Sequence, residues 1–411
     1  MKLKHLHYGW VMVIIAACIM AVHAFAWYTF GIFLVPLTAE FNWERGALSG
    51  AFSMFVLMSG LFSILSGRLS DKYGPRILVT ISGLSLGVGF LLMSQINSLW
   101  QAYLVWGLFM GIGNGCCFIP IISTIPRWFT KKRGIAIGIT VAGFGLGGII
   151  SPPLAQWLIS TYDWRQSYLI LGLITLIIII PLAQFMKHSP QRVGLKPYGE
   201  EEITKDKSSL SPTEGDISIT QAIKTSRFWV WGLILLCFFF YLQVISVHIV
   251  PHAIDIGVSP IVAASITSIL AGCSVIGQLS AGFISDRIGG RLLLIACIFS
   301  AALALLWLLF AKEIWMLYVF AAMLGLASGG IILLEIVITS ELFGLSSLGM
   351  ILGSLFILGT IGSALGPPLA GSIFDITGSY SLAFLVSVII CALAVILSLI
   401  LLRDKGWRGD D

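Results

Sequence analysis

Long apolar stretches, separated by short polar connectors, recur along this 411-residue sequence. An α-helix needs about 20 mostly apolar residues to cross the roughly 30 Å hydrocarbon core of a bilayer. The pattern predicts an all-α membrane protein with twelve transmembrane helices. The predicted spans cover residues 8–36, 47–66, 77–95, 99–126, 134–160, 167–186, 228–250, 261–284, 291–311, 314–340, 347–373 and 380–402. The first is too long for a cleaved signal peptide and has no small-residue cleavage site, so we keep it as a span.

The composition and the distribution of charge agree with lipid as the solvent. Hydrophobic residues make up 58% of the chain and charged residues 10%. Lys and Arg in short loops stay on the cytoplasmic side, and cytoplasmic termini leave only Arg45, Arg165 and Lys312 of the 24 cations outside. The net charge of +5 thus reports orientation in the cell (inner) membrane. No basic stripe with aromatic platforms is present, which excludes nucleic acid as a partner.

Signatures of enzymatic chemistry are missing from the sequence. There is no phosphate-binding Gly-Lys-Ser/Thr loop and no nucleophile with a base at a workable spacing. The seven cysteines all fall within predicted spans, without the spacing of a zinc site or a disulfide framework, and are interpreted as packing residues. We therefore expect no enzyme activity, no cofactor and no metal, and an ion gradient as the source of energy.

An internal duplication relates the two halves of the chain, with an offset of 215 residues. Gly67–Arg76 reappears as Gly282–Arg291, and Pro152–Ala155 reappears as Pro367–Ala370. Independent matches at one offset indicate two copies of a six-helix unit. An even number of spans in each copy keeps both in the same orientation, so they should be related by a pseudo-twofold axis along the membrane normal.

The domain organisation follows from this duplication. We expect six-helix bundles at 1–186 and 228–411, joined by a cytoplasmic linker at 187–227, the one long polar segment. The end of the linker, at 217–224, is predicted to form either a short interfacial helix or a plain tether. Small residues at 142–148 predict that span five packs closely against the partner bundle.

The two copies of the loop Gly-x-x-Ser-Asp-x-x-Gly-x-Arg resemble the signature loop of the major facilitator superfamily. The resemblance implies the major facilitator fold and alternating access of two bundles around one central site. Gly74 and Gly289 suit a tight turn, because glycine adopts backbone conformations that other residues avoid. The resemblance also implies gating roles for Asp71, Arg76, Asp286 and Arg291.

Other segments resemble the bacterial monocarboxylate and oxalate/formate branches of that superfamily. They are His7–Trp10, Trp128–Gly138 and the linker from Pro190 to Gly199. The resemblance implies an Arg in span eight, which monocarboxylate carriers share and which holds the substrate carboxylate. An Asp often lies one turn earlier. The matching positions here are Gln278 and Ser274, so the cation is missing. Span eleven also lacks the Lys expected of an oxalate carrier, which disfavours a dicarboxylate.

Ionisable side chains inside spans are costly and are therefore candidates for function. The resemblance places spans one, four, seven and ten around the cavity, and these spans contain His23, His248 and Glu335. Glu335 lies about 9 Å from the cytoplasmic end and could take up and release the coupled proton. His248 could share that role and act as counter-ion to a carboxylate, or hydrogen-bond as a neutral ring. The predicted substrate contacts are His23, Trp27, Tyr28, Asn114, Tyr241, Gln243, His248, Ser274 and Gln278.

These observations favour a proton-coupled symporter of a small organic acid, a monocarboxylate such as lactate or pyruvate, that works by alternating access. The missing Arg keeps a second hypothesis open, a carrier or exporter of a neutral or drug-like solute. A non-transporting membrane sensor is disfavoured, because the linker and tails leave no room for an effector domain. The expected partners are a small-molecule substrate, protons and the lipid bilayer, and the chain is expected to be monomeric.

Overall fold

The computed structural model describes residues 7–191, 194–199, 218–344 and 347–403, except the side chains of Asp71, Leu402 and Arg403. Within this part of the chain the regular structure is helical, with one isolated backbone bridge between Phe129 and Tyr198. Twelve runs of helix in the described residues are long and apolar enough to cross a membrane. The predicted all-α membrane fold is therefore confirmed.

Spans one to six contain the first ten α-helices. They are α1 (Tyr8–His23), α2 (Phe25–Tyr28), α3 (Phe30–Phe41), α4 (Arg45–Tyr73), α5 (Pro75–Met93), α6 (Leu99–Ala102), α7 (Gly111–Gly115), α8 (Phe118–Thr124), α9 (Arg133–Thr161) and α10 (Trp164–Gln184). A π-helix (Tyr103–Met110) joins α6 to α7, and a 3-10 helix (Ile125–Trp128) follows α8.

The remaining helices begin at the end of the linker. They are α11 (Ile219–Ala222), α12 (Ser226–Asp255), α13 (Pro260–Ile288), α14 (Gly290–Leu308), α15 (Ile314–Phe343), α16 (Leu348–Thr377) and α17 (Ser381–Arg403). The short helix α11 matches the helical alternative for the end of the linker, apart from Ile217, which lies outside the described residues. Ser218 starts it, because its N–H donates to Gln221 Oε1 at 3.0 Å.

The helix boundaries reproduce the internal duplication. α4 and α13 begin at Arg45 and Pro260 and end at Tyr73 and Ile288, so both ends are 215 residues apart. The bounds of α5 and α14 differ by the same offset. Gly74 and Gly289, which precede α5 and α14, have φ of 85° and 86°. Both turns thus use the left-handed region that favours glycine, as the sequence predicts.

Span four is interrupted, whereas the equivalent span ten is continuous. Gly111, Gly113 and Gly115 weaken the helix of span four, and Pro120 has no N–H to offer the carbonyl of Cys116. The chain leaves helical geometry at Cys116, immediately after α7. Span ten is the single 30-residue helix α15.

Span one departs from regular α-helix at two positions that carry no glycine or proline. Ala24 separates α1 from α2, and Thr29 separates α2 from α3, although both residues keep right-handed helical φ and ψ. The Phe25 carbonyl accepts both the Thr29 hydroxyl at 2.7 Å and the Thr29 N–H at 3.0 Å, a shared bond that bends a helix without ending its ladder. The equivalent span seven is the unbroken helix α12 of 30 residues.

The described chain divides into two compact units. The first comprises residues 1–43 and 54–210, and the second comprises residues 44–53 and 211–411. The division near 210 falls inside the predicted linker. The first turns of α4 belong to the second unit, where Ser53 Oγ donates to the Ala364 carbonyl at 2.5 Å. Pro368 lacks the N–H that would otherwise reach that carbonyl, so Ser53 satisfies it instead.

Span five packs closely against span one within the first unit. A Cβ at Gly143 or Gly147 would collide with the carbonyl oxygens of Ala17 and Ala21. The small residues thus allow close packing, but the neighbour observed is α1 of the same unit, and packing against the partner bundle stays a prediction.

Candidate functional site

A chain of hydrogen bonds connects spans one, two and four in the first unit. Trp27 Nε1 donates to Asn114 Oδ1 at 3.0 Å, and Asn114 Nδ2 donates to Ser59 Oγ at 2.7 Å. Ser59 Oγ donates in turn to the Gly111 carbonyl at 3.2 Å. Trp27 lies on the short helix between the two breaks of span one, and Asn114 lies on α7 between the π-helix and the turn at Cys116. The polar network thus lies beside the break in span four and between the two irregular positions of span one.

Asn114 retains hydrogen-bonding capacity in this network. Its side-chain amide has two N–H groups and an oxygen with two lone pairs. One N–H and one lone pair are used by Ser59 and Trp27, and the described residues supply no other partner. With only 5% of its surface exposed, Asn114 can offer one donor and one acceptor to a bound solute in a sheltered place.

His23 and Tyr28 flank the same short helix. Their rings lie 6.2 Å and 5.7 Å from the ring of Phe144 on α9. His23 is only 1% exposed, and its Nδ1 has no hydrogen-bond partner among the described residues. We call the group of His23, Trp27, Tyr28, Ser59 and Asn114 the first site. Four of its members are predicted contacts: the hydrogen-bond chain joins Trp27 and Asn114, and the Phe144 ring lies beside His23 and Tyr28. Ser59 is added by the structure, because serine is a common residue type in spans and carries no distinguishing sequence signal.

A second polar group, in the second unit, surrounds Arg45. The Arg45 guanidinium binds both oxygens of Asp255, at 2.5 Å and 2.9 Å, and stacks 3.9 Å from the centre of the Phe374 ring. Asp375 accepts the backbone N–H groups of Arg45 and Gly46 at 2.9 Å and 2.7 Å. The Asp375 carboxylate of α16 therefore caps the N-terminus of α4, where the helix dipole favours negative charge.

His248 belongs to this Arg45 cluster. Its Nε2 lies 2.8 Å from the Pro367 carbonyl, and its Nδ1 lies 3.1 Å from Tyr380 Oη. Because a carbonyl only accepts, Nε2 carries a proton, and in a neutral ring Nδ1 accepts from the Tyr380 hydroxyl. Tyr380 Oη also accepts from Arg45 at 3.0 Å. Both His248 nitrogens are thus engaged in a fully buried ring, and its substrate role stays a prediction.

The other predicted residues of the second unit do not form a hydrogen-bonded group among the described residues. Tyr241 is fully buried, and Gln243 is 8% exposed. Ser274 and Gln278 are half-buried on α13, where their backbone lies against Gly329 of α15. Their roles in binding stay predictions.

Glu335 is half-buried on α15, and its carboxyl has no side-chain partner among the described residues. Its backbone carbonyl accepts from Thr339 Oγ1 at 2.5 Å, and Thr339 Oγ1 accepts from Trp231 Nε1 at 2.9 Å. Within the described part of the chain the carboxyl is therefore held on a helix without a counter-ion bound to it. Its proton-coupling role stays a prediction.

The predicted gating residues lie at the turns beside α5 and α14. Arg76 Nε donates to Gln184 Oε1 at 2.8 Å, which ties the start of α5 to the end of α10. Asp286 is exposed in the last turn of α13, and Arg291 interacts electrostatically with Glu341. The side chain of Asp71 lies outside the described residues. Their gating roles stay predictions.

The residues that the structure describes contain no cluster of metal-ligating side chains. No group of three or more His, Cys, Asp or Glu side chains is close enough there to hold an ion. The seven cysteines are free thiols.

Solved structures with a similar fold include two crystal structures of a bacterial homolog of the human lysosomal transporter Spinster. The inward-facing, occupied form has a TM-score of 0.75 at 15% identity and covers 97% of this chain and 98% of that one. The inward-facing, unoccupied form has a TM-score of 0.76 at 17% identity and covers 99% and 100%. At such identity the likeness shows the fold alone.

Sequence relatives extend over nearly the whole chain. Monocarboxylate transporter 13 of Rattus norvegicus is 28% identical, over 92% of this chain and 86% of that protein. Monocarboxylate transporter 12 of Mus musculus is 29% identical, over 96% and 85%. The MFS-type transporter opdF of Penicillium oxalicum is 28% identical, over 93% and 91%. The chain is thus a distant homologue of monocarboxylate transporters 12 and 13.

The family follows from a match that covers both halves of the duplication. Residues 16–259 and 245–409 each match the Major Facilitator Superfamily. The twelve membrane spans of the described residues agree with that assignment. This multi-pass membrane protein therefore belongs to the Major Facilitator Superfamily, a family of secondary transporters and not of enzymes.

Proposed function

We propose that this chain carries a small organic acid, a monocarboxylate such as lactate or pyruvate, together with protons and by alternating access. We place it in the cell (inner) membrane with both termini cytoplasmic, because that orientation puts most cations inside. The distant relatives named as monocarboxylate transporters support the substrate class.

The observation that carries the proposal is the hydrogen-bond chain from Trp27 through Asn114 to Ser59. Interrupted spans in transporters mark binding sites, because the irregular backbone is tolerated where it lines a cavity. The free N–H of Asn114 suits a carboxylate oxygen, and its free lone pair suits the hydroxyl of a hydroxy acid. His23, one turn before Trp27, can add a positive charge by protonation.

Proton coupling is proposed for two groups, one in each unit. His23 has a buried nitrogen without a hydrogen-bond partner among the described residues. The Glu335 carboxyl has no bound counter-ion among the residues that the structure describes. Each can gain and lose a proton without breaking an ion pair, which is what a coupling residue requires.

A carrier of neutral solutes remains the second candidate, and one observation favours it. The first site has no permanent cation, since its members are an imidazole, an indole, a phenol, a hydroxyl and an amide. Such a set hydrogen-bonds a neutral solute without having to neutralise a carboxylate.

Uptake by proteoliposomes distinguishes the two candidates. Labelled lactate, labelled pyruvate and lactamide, the neutral isostere of lactate, are offered with and without an inward proton gradient, and protein-free liposomes serve as the control. We expect the gradient to drive accumulation of lactate and not of lactamide. Lactamide uptake above the control that is equal with and without the proton gradient would favour the carrier of neutral solutes. If neither lactate nor pyruvate exceeds the control, the proposed substrate class is wrong.

A further inference from the structure

The first part of the linker is bound to the rest of the first unit through its backbone. Tyr198 N–H donates to the Trp128 carbonyl at 2.9 Å. The Tyr198 carbonyl accepts from the N–H groups of Thr130 and Lys131, at 3.0 Å and 3.2 Å, and from Thr130 Oγ1 at 2.7 Å. The segment thus pairs like an added β-strand with the loop before α9, in a parallel bridge between Phe129 and Tyr198.

The Tyr198 ring fills a socket of three other rings. The ring centres of His7, Trp10 and Phe129 lie 5.5 Å, 5.9 Å and 5.9 Å from that of Tyr198. Trp10 and Phe129 also meet edge to face at 5.0 Å. Such aromatic pairs prefer tilted and edge-to-face geometry, which is the geometry found here.

A further contact ties the linker to the start of span one. His7 Nε2 lies 2.9 Å from the Lys196 carbonyl, and because a carbonyl only accepts, that nitrogen donates. We call the Tyr198 pairing, its aromatic socket and this bond the linker clasp. It joins residues of the three segments that resemble monocarboxylate and oxalate/formate carriers. None of these segments contains a predicted substrate contact.

The clasp lies at one end of a continuous packing path to the first site. Helix α1 begins at Tyr8, inside the clasp, and packs through Ala17 and Ala21 against Gly143 and Gly147 of α9. It ends at His23, where the first site begins. The backbone contacts at the two glycines are too close to tolerate a slip of one residue.

We propose that the linker clasp positions the first site by setting the register of α1 against α9. The occupant of the aromatic socket is the chain's own linker segment at 196–199. This inference rests on the proposed function of the first site. Tyr198 acts through α1 and is a positioning residue.

Hydrogen–deuterium exchange of the purified full-length protein tests the clasp without any substrate. Tyr198→Ala empties the socket, and we expect roughly tenfold faster exchange in two separate places, the loop 128–131 and the segment 22–30 of the first site. Tyr198→Phe is the matched control, because no hydrogen bond of the Tyr198 hydroxyl is found in the described structure. It should exchange like the wild type.

A glycine pair probes the backbone pairing in the same experiment. Gly199 and Gly194 both have positive φ, so alanine strains either one. A Cβ at Gly199 would lie 2.9 Å from Lys131 Cβ, whereas a Cβ at Gly194 meets nothing within 4 Å. Gly199→Ala should therefore accelerate exchange at 128–131 and 22–30, and Gly194→Ala should not.

The outcomes separate the clasp from the transport proposal. Faster exchange confined to 128–131 would overturn the positioning role, because the clasp would then stabilise only the loop that it contacts. Equal exchange in Tyr198→Ala and the wild type would overturn the clasp itself. Neither result depends on lactate uptake, so a failure of the proposed function is recognised separately.

Discussion

At the scale of single residues, Asn114 and His248 show how burial and partners change a candidate. Asn114 bonds Trp27 and Ser59 and keeps one donor and one acceptor for a ligand. His248 is the more suggestive residue in the sequence, yet both its nitrogens are engaged, with Pro367 and Tyr380. Sequence identifies both as polar groups inside spans, but the direction of each side chain depends on helix rotation, which one sequence does not determine.

The ion pair between Arg45 and Asp255 gives a residue-scale prediction. Its side chains are 14% and 29% exposed, and its geometry is bidentate. A double-mutant cycle with Arg45→Gln and Asp255→Asn, which removes the charges without adding repulsion, should give a coupling energy of about 1–2 kcal/mol from unfolding midpoints. Arg45→Gln alone should lose more stability than this coupling, because Arg45 also contacts Phe374.

The first unit offers a matched control for that cycle. Arg165 and Glu40 form a pair at 2.7 Å whose side chains are 38% and 43% exposed. Solvent screens such a pair, so its coupling should stay below about 1 kcal/mol. Equal coupling in the two pairs would refute the account of the Arg45 cluster.

At the scale of helices, the first unit is distinguished by the break in span four and the irregular positions in span one. The sequence indicates a weak point in span four, where Gly111, Gly113, Gly115 and Pro120 disfavour a regular helix. The sequence does not indicate the irregular positions of span one, because Ala24 and Thr29 are compatible with a helix. Their position depends on packing against neighbouring spans, and the hydrophobic pattern therefore predicts one continuous helix there.

The packing of α1 on α9 gives a prediction with a control on the same helix. Gly143→Ala forces a Cβ onto the Ala17 carbonyl, and we expect a loss of about 1–3 kcal/mol in the free energy of unfolding. Gly138→Ala meets nothing within 4 Å and should be neutral or slightly stabilising, because alanine favours helix. Unfolding midpoints in detergent compare the two, and equal midpoints would contradict the packing account.

At the scale of the whole molecule, the duplication was the most informative feature of the sequence. An offset of 215 residues predicts two six-helix copies, and the bounds of α4 and α13 agree with it. Repetition also reveals divergence, since Glu335 stands where the first copy has Pro120. The sequence does not predict the Arg45 cluster, because Arg45 and Asp255 are 210 residues apart and no repeat links them.

Glu335 carries the prediction on energy coupling. Glu335→Gln keeps the shape of the side chain and removes the proton that the carboxyl can exchange. We expect proton-driven accumulation of lactate to fall to the level of equilibration, while exchange of internal for external lactate persists. Glu313→Gln, at an exposed position before α15, is the control. Full accumulation by Glu335→Gln would remove this residue from the coupling mechanism.

The central claim is that the first site recognises the substrate. Its most direct test is the KM for gradient-driven lactate uptake by Asn114→Ala, with equal amounts of folded protein and Asn97→Ala, an exposed loop position, as the control. Loss of the two polar contacts proposed for Asn114 predicts a KM for lactate raised by roughly tenfold or more, with the control unchanged. A wild-type KM in Asn114→Ala would contradict the claim.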